Sequence, residues 1–119
     1  MQEDIKYEKS KKFSIRIVRM YQHLVKDEKE FVLSKQVLRA GTSIGANLAE
    51  AQCAMSTRDF LAKLYIAYKE SSETQYWLEL LHETDYLSDA EFESINADCS
   101  EILRILAATT KTLHNKVIK

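Results

Sequence analysis

Proline is absent from this 119-residue chain, and glycine occurs only twice, at Gly41 and Gly45. Proline removes a backbone donor and clashes with the preceding helical turn, so a chain without it is free to run in long, uninterrupted helices. Cysteine is equally scarce. Cys53 and Cys99 fall on separate predicted helices without metal-type spacing, so reduced, packed thiols are expected rather than a zinc site or a disulfide framework. No apolar run approaches the roughly 18 residues that a membrane-spanning helix requires. The first residues, Met1-Gln-Glu-Asp-Ile-Lys6, lack the apolar stretch of a signal peptide, and a cytoplasmic location is the expectation. An excess of one charge is missing too. The formal net charge is −1 and the pI about 6.3, which is not the balance of a strongly basic nucleic-acid binder.

What the chain does have is helical periodicity. Its length suits one domain with a real core. Phe13, Ile17, Met20 and Leu24 form a stripe on a first helix over about 10–26, with Val18, Tyr21 and Val25 as a second stripe beside it. A charged link, Asp27-Glu-Lys-Glu30, leads to a second helix over about 33–54, with Ser34 as its candidate N-cap. Here Val37, Gly41, Ile44, Leu48, Ala51 and Met55 recur at alternating steps of four and three. Glycine inside a helix costs about 1 kcal/mol relative to alanine. Its presence twice in one stripe points to close approach of a neighbouring helix. A phosphate-cradling loop fails as an explanation, because no Gly-Lys-Ser/Thr follows.

Ser56-Thr-Arg-Asp59 and Ser88-Asp-Ala-Glu91 both have capping-box spacing. They open a third helix over about 57–84 and a fourth over about 89–116. The third carries the stripe Phe60, Leu64, Ala67, Ser71, Thr74, Leu78 and Leu81, with Leu61, Tyr65, Tyr68 and Tyr76 beside it. The fourth carries Phe92, Ile95, Cys99, Ile102, Leu106, Thr109 and Leu113, widened by Leu103 and Ile105. Four such helices with short links imply an all-α, antiparallel up-down-up-down bundle. The near-3.5 spacing is that of left-handed packing. The second stripes exceed what one bundle core buries, so a homo-oligomer is expected.

Folding the third helix back on the second about residue 56 sets Glu50 opposite Lys63, Ser43 opposite Glu70, and Arg39 opposite Glu73. With Asn47, these seven residues outline a polar seam beside the core. Its expected role is structural, with a ligand pocket as the alternative. Other chemistry is thin. Glu79-Leu-Leu-His82 has the spacing of half a di-iron site, but neither His23 nor His114 has a glutamate three residues before it. Neither cysteine has a sequence-evident histidine partner, and no Gly-x-Ser-x-Gly occurs. A non-enzyme with no cofactor, no metal and no evident small-molecule substrate is therefore expected.

Charge is distributed in blocks. Residues 1–42 carry ten Lys/Arg against six Asp/Glu, residues 43–103 carry three against twelve, and residues 104–119 carry four against none. In an up-down-up-down bundle one end then gathers Lys6, Lys9, Lys11, Lys12, Arg16, Arg58, Lys111, Lys116 and Lys119. The other gathers Asp27, Glu28, Glu30, Glu79, Glu83, Asp85, Asp89, Glu91 and Glu93. A basic rim of this kind would take nucleic-acid phosphates through counterion release; a solvated charged surface without a partner is the alternative.

Thr42-Ser-Ile-Gly-Ala-Asn-Leu-Ala-Glu50 resembles the Ser-Ile-x-x-Asn-Ile-Ala-Glu signature of the bacterial four-helix-bundle family encoded in 23S rRNA intervening sequences. Asp59–Glu70 and Glu73–Leu81 are similar to its second block. Ala51 departs from the glycine usual after the signature glutamate, a change that favours helix continuity. The resemblance covers nearly the whole chain. It implies a left-handed bundle assembling as a homopentameric barrel, and kinship with the accessory variability protein of diversity-generating retroelements. That relative binds nucleic acid and a reverse transcriptase through a basic surface. The resemblance carries over no catalytic residue. The leading expectation is a non-enzymatic oligomer that binds RNA, DNA or a ribonucleoprotein at its basic end. The alternatives are a structural or protein-binding scaffold, and a ligand binder using the polar seam.

Overall fold

The structure, a computed structural model, describes residues 4–118. Four helices follow one another: α1 (Ile5–Lys26), α2 (Leu33–Ala51), α3 (Thr57–Glu83) and α4 (Asp89–Ile118). No strand occurs among the described residues. The 30-residue α4 alone accounts for about 45 Å at 1.5 Å per residue, close to the 49 Å long axis of the molecule. Side-chain contacts make each neighbouring pair antiparallel. Ile17 of α1 meets Gly41 of α2. Glu50 of α2 meets Lys63 of α3, Gln75 of α3 meets Asn96 of α4, and Arg16 of α1 meets Asp98 of α4.

The core is built from the heptad-like stripes. Phe13, Ile17, Leu24, Val37, Ile44, Leu48, Leu64, Leu78, Leu81 and Leu106 are essentially sealed from solvent. Burying each leucine, isoleucine or phenylalanine stabilises the fold by about 1.5–3 kcal/mol. The stripes shift by one position at a single residue in each of two helices, their other buried positions unchanged. On α3 Leu61 is buried and Phe60 only half-buried. On α4 Thr110 is buried and Thr109 half-buried. Thr110 satisfies its hydroxyl by donating to the Leu106 carbonyl at 2.8 Å, as Thr74 does to Glu70 at 2.7 Å. Of the second stripes, Val18 and Tyr76 are exposed, while Tyr21, Val25, Tyr65, Tyr68, Leu103 and Ile105 are half-buried.

The helix ends correct three sequence expectations. Ser34 does not cap α2. It lies in the first turn, and its hydroxyl donates to the Glu30 carbonyl at 2.8 Å. The cap is the Glu30 carboxylate, which accepts from the backbone N–H groups of Val32, Leu33 and Ser34 at 3.2, 3.1 and 2.7 Å. Those three donors are among the four that a helix start leaves unpaired. A carboxylate is favoured there by the helix dipole, and a glutamate can reach from further back along the chain. Second, α2 ends at Ala51 rather than near residue 54, so Met55 leaves the core stripe and is 93% exposed. Third, Cys53 sits in the ensuing link and is exposed, not packed.

The two serine-led starts form as their spacing implies, with one variation. At α4 the box is reciprocal: Glu91 N–H donates to Ser88 Oγ at 3.1 Å and Ser88 N–H to Glu91 Oε1 at 2.8 Å. At α3 Asp59 N–H donates to Ser56 Oγ at 3.0 Å, but the Asp59 carboxylate accepts from Met55 N–H instead.

Both glycines stay inside α2, and neither has a positive φ. The left-handed positions that end α1 and α3 are filled by Lys29 (φ 55°) and Asp85 (φ 70°). Glycine is needed instead where α2 meets α1. A Cβ at Gly41 would stand 2.8 and 2.9 Å from Cγ1 and Cγ2 of fully buried Ile17. A Cβ at Gly45 would meet only the Ser14 hydroxyl at 3.3 Å, with the Ser10 backbone at 3.6 Å.

The two glycines should therefore respond oppositely to substitution. Gly41→Ala forces a stiff, β-branched neighbour to move. It should lose about 1–2 kcal/mol in urea unfolding, the overpacking cost exceeding the gain in helix propensity. Gly45→Ala asks only a hydroxyl to rotate, and should gain up to about 1 kcal/mol. Equal effects at both sites would refute the close-approach account. For the α2 cap, Glu30→Ala should cost about 2 kcal/mol. Burial pushes the Glu30 carboxyl up, but the hydrogen bonds from Ser34, Leu33 and Val32 outweigh it and hold it below the usual carboxylate range. Its stabilisation is then full above that range and lost as the pH falls through the depressed value. The urea midpoint of the wild type should drop more than that of Glu30→Gln between about pH 7 and about pH 3.

Candidate nucleic-acid interface

The nine candidate bases divide into three groups. Lys6, Lys9 and Arg16 are engaged with carboxylates. Lys6 Nζ lies 3.4 Å from Asp4, and Lys9 Nζ 3.1 Å from Glu101 on α4. Arg16 is the most firmly held, donating to Asp98 Oδ2 at 2.7 Å, to Ser94 Oγ at 2.9 Å and to the Ser94 carbonyl at 3.3 Å. It lies along the α1–α4 seam, opposite residues 94–98, not at the end of the bundle. These three are corrections to a uniformly basic rim: α4 lays Glu101 and Asp98 beside Lys9 and Arg16, and Asp4 meets Lys6. Lys11, Lys12, Arg58, Lys111 and Lys116 form the second group. All five are exposed, and none takes part in an ion pair among the described residues. The ninth base, Lys119, lies outside the described residues.

Arg58 stands in the first turn of α3, where the helix dipole already presents positive charge, while Lys116 lies in the last turn of α4. Near them Tyr65 Oη is 3.1 Å from His114 Nδ1, with the two rings edge to face. Between the starts of α1 and α3 and the last turns of α4 lies a cleft of about 430 Å³, lined by Lys6, Phe60, Ala108, Thr109, Thr112 and Leu113. Periodicity did not disclose it. The half-exposure of Phe60 is its signature, and it arises because Leu61 rather than Phe60 enters the core in the first turns of α3.

The polar seam lies on the α2–α3 face. Arg39 reaches across to both Glu70, at 3.1 Å, and Glu73. Trp77 Nε1–H donates to the same Glu73 carboxylate at 2.9 Å. Lys63 donates to Glu50 Oε1 at 2.9 Å, and this hydrogen bond and charge raise the Lys63 ammonium above its ordinary value. Ser43 makes no hydrogen bond to Glu70 among the described residues. Its hydroxyl donates to the Arg39 carbonyl at 2.7 Å, and Asn47 Nδ2 donates to the Ser43 carbonyl at 2.8 Å, so both turn back onto α2. With Arg39 half-exposed, these ion pairs set register more than they add stability.

The remaining chemical groups are accounted for locally. Burial pushes the Cys99 thiol up to about 12, so it is not a thiolate at neutral pH; it donates to the Ser71 carbonyl at 3.4 Å. His82 does not pair with Glu79. Its Nε2 lies 2.7 Å from Asp89, and its ring stacks on Phe92. No group of three or more His, Cys, Asp or Glu suited to a metal ion occurs among the described residues. None of the described helices is long and apolar enough to cross a membrane.

A bundle of four antiparallel helices with basic side chains at one end and an ion-paired α2–α3 seam is the class of protein that this geometry defines. Residues 2–108 match the family described as 23S rRNA-intervening sequence protein, and the chain belongs to that family. It is also similar to a crystal structure of a protein with unknown function from the S23 ribosomal protein family of Bacteroides thetaiotaomicron. The two are 52% identical over 90% of this chain and 99% of that one, with a TM-score of 0.88. No curated protein matches the chain.

A double-mutant cycle on Arg39 and Glu73 measures the seam directly. The single changes to alanine should each cost less than about 1 kcal/mol, with a coupling of a few tenths. Strictly additive losses in urea unfolding would remove the pairing from the account of α2–α3 register.

Proposed function

We propose that this chain is a non-enzymatic bundle that assembles into an oligomer and holds RNA, DNA or a ribonucleoprotein against its basic end. The observation that carries this reading is the set of five exposed bases, Lys11, Lys12, Arg58, Lys111 and Lys116, outside the ion pairs among the described residues. Arg58, Lys111 and Lys116 stand towards the end, while Lys12 lines a cleft with Asp98 and Glu101 on the α1–α4 seam. Exposed cations of this kind release counterions from a phosphate backbone, and parallel copies would multiply the effect. Assembly is supported by a different feature. Ile15, Val18, Ile66 and Tyr76 are large apolar side chains left exposed on α1 and α3. A cleft of about 420 Å³ between α1 and α4 has an apolar floor of Met20, Leu87 and Ile95. A left-handed bundle in a homopentameric barrel is the form the family resemblance favours. A cytoplasmic site of action fits a role on nucleic acid. The same apolar faces favour the second reading, a structural or protein-binding scaffold with no nucleic-acid role.

A salt titration against a structured RNA, paired with sedimentation mass, separates the two. The proposal expects binding at about 50 mM salt that weakens steeply as salt rises. Lys111→Glu with Lys116→Glu should reduce it roughly tenfold or more without changing the sedimentation mass. A homogeneous oligomer that binds no RNA or DNA at that salt would leave only the scaffold.

A further inference from the structure

We propose that the cleft between the starts of α1 and α3 and the end of α4 accepts an unstacked base of a single-stranded polynucleotide. This rests on the basic-end reading above and narrows it from phosphate attraction to recognition of strand form. The cleft combines three kinds of group. Phe60, Ala108 and Leu113 supply apolar walls, and Phe60 supplies an aromatic ring left half-exposed at the helix start. Thr109 and Thr112 supply hydroxyls. Thr109 donates to the Ile105 carbonyl at 2.7 Å, which leaves its oxygen to accept, whereas Thr112 is exposed and makes no side-chain hydrogen bond among the described residues. Lys6 supplies an ammonium on the lining, held only by a 3.4 Å contact with Asp4.

Those groups match the parts of one nucleotide. A flat ring needs an apolar slot and an aromatic face, its edge needs a donor or acceptor, and its phosphate needs a cation. The cleft offers about 430 Å³ and is broadly open to solvent, a shallow shelf on which one flat base can lie rather than an enclosed pocket. Charge complementarity names the occupant. Lys6 is on the lining, and Lys116 lies on the same face of α4 as Ala108, Thr109, Thr112 and Leu113, while Arg58 and Lys111 stand nearby on other faces of their helices. An anionic chain drawn to these bases passes the mouth of an apolar slot. Duplexes keep their bases stacked and paired, so only a single strand can fill it.

The test is fluorescence anisotropy of the full chain at about 50 mM salt with a 12-nucleotide oligouridylate, its deoxythymidylate counterpart and a 12-base-pair duplex. The wild type should prefer both single strands to the duplex. Phe60→Leu keeps an apolar side chain against the core but removes the aromatic face. It should lose roughly tenfold in single-strand affinity and leave duplex affinity unchanged. Lys111→Glu should weaken all three probes together, since phosphate attraction ignores strand form. Equal wild-type affinity for single strands and duplex would overturn the base slot while leaving the basic end intact. So would a Phe60→Leu protein that binds single strands like the wild type, including one whose only change is a smaller sedimentation mass. Failure of the wild type to bind any probe would overturn the basic-end reading, and the slot with it.

Discussion

The bundle depends on how closely α2 lies against α1. At Gly41 the backbone of α2 rests on the branched side chain of Ile17, at a distance that even one methyl group would violate. That contact sets the depth at which α2 sits and, through the rigidity of a helix, the face it turns to α3. The consequence is visible one column over. Arg39 and Glu50 project onto α3 and find Glu70, Glu73 and Lys63. Ser43 and Asn47, between them, have no cross-helix hydrogen bond among the described residues and bond to the backbone of their own helix. The signature stretch is therefore a packing device with an ion-paired edge. Both of the chain's glycines are in it, so the turns after α1 and α3 use Lys29 and Asp85 in the left-handed region. Each carries a steric cost of about 1–2 kcal/mol that glycine would avoid.

Charge is less polarised in space than the sequence blocks imply. Along the α1–α4 seam Asp98 and Glu101 neutralise Arg16 and Lys9. At the opposite end Glu30 is buried in the cap of α2, and Asp27 and Asp89 each face a histidine. What remains at the basic end is a smaller set of exposed cations around a slot with an aromatic wall. On the proposed reading, this is a more selective surface than a bare positive rim. Long-range attraction falls with ionic strength, while stacking and apolar contact do not.

Several elements were legible before any coordinates. The absence of proline and the stripes at steps of three and four are local properties, and they locate four helices to within a few residues at most ends. The short α2–α3 link made antiparallel register a matter of counting, which is why Arg39 and Glu73, and Glu50 and Lys63, could be set opposite each other. The same counting across α1 and α4 was not available, because those helices are not joined directly. The partners of Lys9 and Arg16 are set by two intervening turns. Glu30 escaped notice because it lies upstream of the helix it caps, while Ser34 has the residue type of a cap two residues too late.

The sequence by itself determined the element order, most of the buried stripe positions, the glycine-bearing helix face and the family signature. These rest on interactions between residues a few positions apart, where the 3.6-residue turn dictates who shares a face. The tertiary structure decided whether Phe60 or Leu61 enters the core, which bases keep their charge free, and that a cleft opens between three helix ends. Those outcomes depend on how helix ends meet and how deeply whole helices sit against one another. That packing comes from contacts such as Ile17 against Gly41, between residues far apart in the chain.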